Sequence, residues 1–352
     1  MKHTNFFAWQ IEITSRCPLS CLMCAKSAAA TLPPRDMSFE EFQGILPFIQ
    51  GVENVVLEGW GESLLHTELS RIIRAVKERN ARTGFVTCGA GLNERKIKDL
   101  LEAGVDFIGF SLAGAKPETH NSIRVGSDFD RLIKSIEIFI EISKKMRSHA
   151  PRMHIVYLLL KSNLHELPGV LALARRVGIK EVIVAHIIHA GNKWQDDQRV
   201  FGCRGGESQA DELLKRAAKE ARRLKISLHV PAISPQETAV CAENPLQNLY
   251  ISAEGEISPC VFLNPPLTSP FLRYFCGSEH QVERLTFGNI FTTPFEEIWN
   301  SPSYMAFRAR FVERKEGFDH AYRSLLRMVP PKDICLSEPP EPCRSCHKIL
   351  GV

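Results

Sequence analysis

Cys17, Cys21 and Cys24 form CxxxCxxC within IEITSRCPLSCLMCAKSA. Thiolates at this spacing bind metal, and the count of sulfurs decides which chemistry follows. Three sulfurs leave one iron of a four-iron cluster open to a non-protein ligand, whereas a zinc knuckle would need a fourth, distant His or Cys. A second set lies downstream, with Cys241 and Cys260 in CAENPLQNLYISAEGEISPC and Cys343 and Cys346 in EPCRSCHK. Four sulfurs make a complete set, for one four-iron cluster or for a zinc ribbon.

Further cysteines complicate the count, since Cys276 or Cys335 could replace one of these four ligands. Cys203, in FGCRGG, is the best candidate for a substrate-side thiol. The segment HIIHAGNKWQDD offers His186, His189, Asn192, Trp194 and Asp196 as candidate substrate contacts.

Hydrophobic periodicity supplies the elements that position these residues. Short β-branched runs at Trp9–Thr14, Asn54–Glu58, Thr83–Thr87, Phe107–Leu112, His154–Leu160 and Glu181–His186 alternate with amphipathic segments. Those segments are Ser38–Ile49, Glu68–Glu78, Glu94–Ala103, Phe129–Ser143, His165–Val177 and Gln209–Leu224. Six βα units predict a parallel sheet with right-handed crossovers, an α/β partial (β/α)6 TIM-like barrel. The first cysteine loop follows the first strand, at the expected barrel mouth.

After a last short run, Ile226–Val230, the pattern stops at Pro231, so the expected domains are residues 1–230 and 231–352. The second is a small α+β unit with a hairpin, Leu249–Ser252 and Ile257–Val261, and one helix around Phe295–Phe311. So little regular apolar pattern predicts a thin core stapled by metal.

The chain has 352 residues, 44 Lys+Arg against 40 Asp+Glu, 11 Cys and 44% hydrophobic residues. A net charge of only +4, spread along the chain, gives no case for nucleic acid as a partner. No apolar run reaches the roughly 20 residues of a membrane span. MKHTNFFAWQIEIT lacks the pattern of an export signal, which points to the reducing cytoplasm and to cysteines used for metal rather than disulfides.

The CxxxCxxC loop after a first barrel strand resembles the signature of the radical S-adenosylmethionine (SAM) superfamily. Met23 stands where that family often has an aromatic residue, and a thioether fills similar apolar space. LEGWGESLLH resembles the family's glycine-rich motif, which implies SAM-binding roles for Gly59, Trp60, Gly61 and Glu62. The glycines would let the methionine moiety of SAM lie against the main chain. FSLAGAKPETHNSIR resembles the fourth-strand segment and implies SAM contacts from Ser111 and Arg124, while LLLKSNLHEL places Asn163 at a similar polar position. FVTCGAGL departs from the family's common Thr-Asn-Gly, with Cys88 at the Asn position. The second cysteine set resembles SPASM/Twitch domains, in the shorter form with one auxiliary 4Fe-4S cluster on Cys241, Cys260, Cys343 and Cys346.

The resemblance implies an oxidoreductase or maturase in which a SAM-binding 4Fe-4S cluster, reduced by flavodoxin or ferredoxin, cleaves SAM to a 5′-deoxyadenosyl radical. A fully ligated auxiliary cluster favours net oxidation, and relatives imply a peptide, protein, cofactor or small-molecule substrate. Leader-peptide binding is expected to need a partner protein, because the first strand starts by Trp9. The competing class is a non-enzymatic iron–sulfur electron carrier or zinc-binding protein, which leaves the six βα units without a purpose.

Overall fold

The computed structural model describes residues 6–146, 150–203, 205–206, 208–326 and 336–352. Six parallel strands carry the fold: β1 (Phe6–Ile11), β2 (Val52–Val56), β3 (Arg82–Thr87), β4 (Phe107–Leu112), β5 (Arg152–Leu159) and β6 (Glu181–His186). They pair in sequence order. Helices return the chain between them: α1 (Phe39–Ile45), α2 (Leu69–Lys77), α3 (Glu94–Ala103), α4 (Pro117–Ile123), α5 (Phe129–Met146) and α6 (Leu167–Val177). After β6 come α7 (Lys193–Asp197), a short hairpin of β7 (Phe201–Gly202) and β8 (Gly205–Gly206), α8 (Ser208–Leu224) and β9 (Ser227–His229).

Local chemistry explains these elements. The helix α1 opens with a capping box, in which the Ser38 side chain accepts from Glu41 N–H and Glu41 reaches back to Ser38 N–H. The helix α2 buries Leu69, Ile72, Ile73 and Val76, one face of a 3.6-residue repeat, against the sheet.

The sheet continues beyond Pro231. β10 (Asn248–Ile251) pairs in parallel with β1, in the register Ala8↔Asn248 to Ile11↔Ile251, and carries the antiparallel β11 (Ile257–Ser258). The full order is β11-β10-β1-β2-β3-β4-β5-β6-β9, so the two edges of the partial barrel stay unjoined among the described residues. A second hairpin, β12 (Phe271–Phe275) and β13 (Ser278–Val282), stands apart from this sheet.

Two expectations need correction. The single helix expected around Phe295–Phe311 is two, α9 (Phe295–Trp299) and α10 (Pro302–Leu326), because Pro302 can start a helix but cannot donate within one. The thin C-terminal core is instead shared with the barrel: Phe6 and Trp9 of β1 pack on Trp299 and Phe295 at ring distances of 4.8 and 4.7 Å. No helix among the described residues is long and apolar enough to cross a membrane.

Candidate metal centres

The loop carrying Cys17, Cys21 and Cys24 leaves β1 and is held from two sides. Ser20 and Leu22 N–H donate to the carbonyls of Val125 and Ile123 at 2.9 Å. Gln195, fully buried in α7, donates its amide to the carbonyls of Leu22 (2.8 Å) and Cys24 (3.1 Å) and accepts from Gly191 N–H (2.7 Å). Burial pushes all three thiols up, Cys24 to about 11, and the sulfurs raise one another further. The Arg124 guanidinium opposes this by donating to the Cys21 sulfur, and Lys26 adds a second positive charge. Crowded, desolvated thiols flanked by cations are a donor set for a metal that removes their protons.

The glycine-rich segment sits against the end of β1 and the start of this loop. A Cβ on Gly61 would lie 1.9 Å from the Thr14 carbonyl oxygen and 2.9 Å from that of Arg16, and one on Gly59 would meet the Glu12 side chain at 2.5 Å. The chain's own approach to the cysteine loop therefore demands glycine at both. Trp60 N–H donates to Glu12 (2.6 Å), whose other oxygen accepts from the Tyr250 hydroxyl (3.0 Å) of β10. Burial pushes Glu12 up to about 7. Glu62 is buried and accepts from the Thr87 hydroxyl (2.6 Å), Cys88 N–H (2.7 Å) and Leu64 N–H (3.1 Å). Cys88 thus lies beside Glu62, and burial with this carboxylate holds its thiol far above the ordinary range.

Ser111 is buried on β4, and Arg124 faces Cys21. Arg124 Nε and Trp60 Nε1 are buried with no protein partner, which leaves two donors for a bound ligand, as a SAM site would need. Asn163 differs from expectation. Both its N–H donors go to the carbonyls of Ala113 (2.9 Å) and Leu158 (2.8 Å), and its side-chain oxygen accepts from Leu160 N–H (2.8 Å). It braces the turn after β5.

Cys241, Cys260, Cys343 and Cys346 line one small pocket together with Phe262 and Leu263. Burial pushes Cys241 up to about 12 and Cys260 and Cys343 well above the usual thiol range, and each feels the charge of the others. Four converging sulfurs, walled by Phe262, Leu263 and Ile349 and by the Glu243–Lys348 ion pair, fit a fully ligated cluster. A cavity of about 330 Å³ adjoins them, lined by Gln10, Glu58, Glu243, Asn248, Cys260 and Phe262 among others. Burial, with Glu62 and Glu243 nearby, pushes Glu58 up to about 7.

The remaining cysteines correct the sequence reading. Cys203 is no free thiol and Cys276 is no spare ligand, because the two form a disulfide with Cα atoms 5.4 Å apart. Spacing carries no signal for a pair 73 residues apart. Cys335 lies outside the described residues.

Most of the 186–196 segment is committed to structure. His186 Nε2 bonds the Ala232 carbonyl (3.0 Å), Asn192 caps α7 by accepting from Gln195 N–H (2.9 Å), and Asp196 pairs with Arg199. Trp194 is exposed, and His189 is buried with both ring nitrogens unpartnered. Burial holds His186 down at about 4 and His189 at about 3, so both are neutral. Gln195, Glu12 and Tyr250 were not found from sequence; no local pattern marks a side chain whose partners lie on distant loops.

Comparison with known proteins agrees with this layout. Residues 11–174 match the Radical SAM superfamily, and residues 241–347 match SPASM, an iron–sulfur cluster-binding domain. The chain is 25% identical to a tungsten-containing aldehyde ferredoxin oxidoreductase cofactor-modifying protein of Pyrococcus furiosus, over 96% of this chain and 93% of that protein. It is 24% identical to a PqqA peptide cyclase of Methylorubrum extorquens, over 87% of this chain and 77% of that one. The fold resembles Streptococcus suis SuiB bound to S-adenosylmethionine, with a TM-score of 0.66 at 15% identity over 87% of this chain and 68% of that one. It also resembles anSMEcpe with bound AdoMet, with a TM-score of 0.61 at 15% identity over 85% and 82% of the two chains. SAM and 4Fe-4S clusters are the cofactors of this domain pair. The non-enzymatic alternative gives way: the chain is an enzyme of the radical SAM superfamily, with a C-terminal SPASM iron–sulfur domain.

Proposed function

We propose that this chain reductively cleaves SAM and oxidatively modifies a peptide, with residues 1–230 as the SAM-cleaving core and 231–352 as the auxiliary domain. One observation carries the reading: a three-cysteine loop is paired with a separate four-cysteine pocket, so the first set leaves a ligand position for SAM and the second leaves none. When bound, the two clusters supply the electron that cleaves SAM to a hydrogen-abstracting 5′-deoxyadenosyl radical and an acceptor for the electron left on the substrate.

The protein's own residues orient and shield this chemistry. Cys17, Cys21 and Cys24 hold the first cluster, with Arg124 and Lys26 offsetting its negative charge. Gly59, Trp60, Gly61, Glu62 and Ser111 form the SAM side of the mouth, and Trp60 Nε1 and Arg124 Nε are the free donors there. Cys241, Cys260, Cys343 and Cys346 would hold the auxiliary cluster in the second pocket. We place part of the substrate in the 330 Å³ cavity beside Cys260, with its reacting group towards the loop of Cys17, Cys21 and Cys24.

A peptide substrate is supported by relatives whose names or structures carry one: PqqA peptide cyclase, SuiB with its precursor peptide SuiA, and anSMEcpe with the Cp18Cys peptide. A second reading, modification of another enzyme's cofactor, is favoured by the cofactor-modifying relative that spans nearly the whole chain. Flavodoxin or ferredoxin is the proposed electron donor, and the cytoplasm the proposed setting. The test is anaerobic reconstitution, reduction with dithionite and addition of SAM. Release of 5′-deoxyadenosine that depends on Cys17, Cys21 and Cys24 is expected; iron-loaded protein that leaves SAM intact overturns the proposal.

A further inference from the structure

Cys203, Cys276 and His347 are used by neither cysteine set, yet each offers a donor atom and these atoms lie within 4.8 Å of one another. They arrive from three separate segments: the β7–β8 hairpin, the turn between β12 and β13, and the chain just past Cys346. We propose that reduction of the Cys203–Cys276 disulfide uncovers a third metal site, a Cys2His site for a thiophilic divalent cation such as zinc.

The imidazole is buried and held in one orientation. His347 is fully buried and set between Phe201 and Phe275, with ring centroids at 5.2 and 4.9 Å, so its orientation is fixed. Its Nδ1 faces the Ile188 carbonyl at 3.3 Å, and Nε2 accepts from Arg199 Nη1 at 2.8 Å. A neutral ring that donates Nδ1–H to a carbonyl keeps its lone pair on Nε2, the usual outer-shell arrangement of a metal-binding histidine. In the disulfide form Arg199 occupies that lone pair. The same guanidinium is ion-paired with Asp196, which retains it when a metal takes its place.

The sulfurs complete the set only when reduced. A dithiol transfers two electrons and two protons to the disulfide, giving two thiols and leaving the dithiol as its own disulfide. The cation then displaces both thiol protons, and two thiolates balance its two charges. Tetrahedral zinc spaces its donors by about 3.5 Å, so the two sulfurs must part once their bond is broken while the imidazole, within 4.8 Å of both, needs to approach by no more than about an ångström, and solvent supplies the fourth ligand. Cys276 sits on an exposed turn, where such a shift meets little resistance. A metal here would fasten the β12–β13 hairpin and the C-terminal segment to the barrel.

The test uses reconstituted holoprotein, whose other cysteines are filled with iron. It is desalted after exposure to micromolar zinc, with and without a phosphine reductant. Elemental analysis is expected to find about one zinc per chain after reduction and none before, with iron unchanged. Cys276→Ser and the Cys203→Ser/Cys276→Ser double variant should retain none. Zinc should also slow alkylation of both cysteines in reduced wild-type protein by at least about tenfold. Zinc retained equally by the double variant, or alkylation rates that zinc leaves unchanged, would overturn the proposal.

Discussion

The first cysteine set comes from one short loop, while the second is gathered from a strand approach, a hairpin and the C-terminal segment. The loop has cations beside it, and unpartnered donors nearby at Trp60 Nε1 and Arg124 Nε. The second pocket brings four sulfurs together, a complete protein ligand set for one cluster. The contrast teaches that a site built for exchange can be encoded locally and braced by neighbours, whereas a closed site must draw its ligands from the tertiary fold. Glu12 joins the two regions, with one oxygen on Trp60 N–H and the other on the Tyr250 hydroxyl of β10.

The largest effect should come from the closed site. Cys260→Ala leaves three buried sulfurs and should remove about four irons, since no other cysteine lines that pocket to replace it. SAM cleavage should stay within about threefold of wild type, because chemistry at the loop does not use this cluster. Loss of both iron sets in this variant would show that the regions are not separable.

Gly61→Ala attacks the open site through its frame. The new methyl meets the Thr14 and Arg16 backbone, which cannot yield as a side-chain tip would, so destabilisation of about 3 kcal/mol is expected. Iron analysis should show the loop set depleted and the second set filled. Normal loading of the loop would refute the backbone-contact account.

Glu12 predicts a pH dependence. Its carboxyl sits at about 7 in the fold against 4.5 outside it, so the folded state binds more protons between those values. Stability from this group is therefore full below about pH 4.5 and is lost as pH rises through about 7, by roughly 3 kcal/mol in all. The melting temperature of metal-free wild type, taken relative to metal-free Glu12→Gln at each pH, should fall across that window, a difference in which the contributions of Glu58 and of the buried histidines cancel. An unchanged slope in Glu12→Gln would assign the effect elsewhere.

Gln195→Ala should have the smallest effect. It removes two hydrogen bonds that tie α7 to the cysteine loop and a local one from Gly191 N–H, at a cost of about 1–3 kcal/mol. A chelator should strip iron from the loop set several-fold faster than in wild type, with the second set unaffected. Equal stripping rates would mean the loop holds its shape alone.

What the sequence disclosed divides along the same line. The CxxxCxxC loop, the six βα units and the β10–β11 hairpin were legible because their signals are periodic or closely spaced. The β12–β13 hairpin is hidden because only the first half of FLRYFCGSEHQV is apolar and the second is polar, while Arg273 in the first half is buried through tertiary contacts, donating to the carbonyls of Pro342 and Phe262. The pairing of β10 with β1 across more than two hundred residues was equally silent, as was the Cys203–Cys276 bond. The neighbours of Asn163 in sequence suggest a ligand contact, whereas its side-chain partners are the carbonyls of Ala113 and Leu158 and the N–H of Leu160.

The central claim is that one cysteine set is open and catalytic and the other closed. Iron and sulfide counts together with 5′-deoxyadenosine release, in wild type and in a Cys17→Ala/Cys21→Ala/Cys24→Ala variant, test it most directly. About eight irons should fall to about four, with SAM cleavage abolished. Zinc in place of iron, or SAM cleavage that survives the triple substitution, would contradict the account.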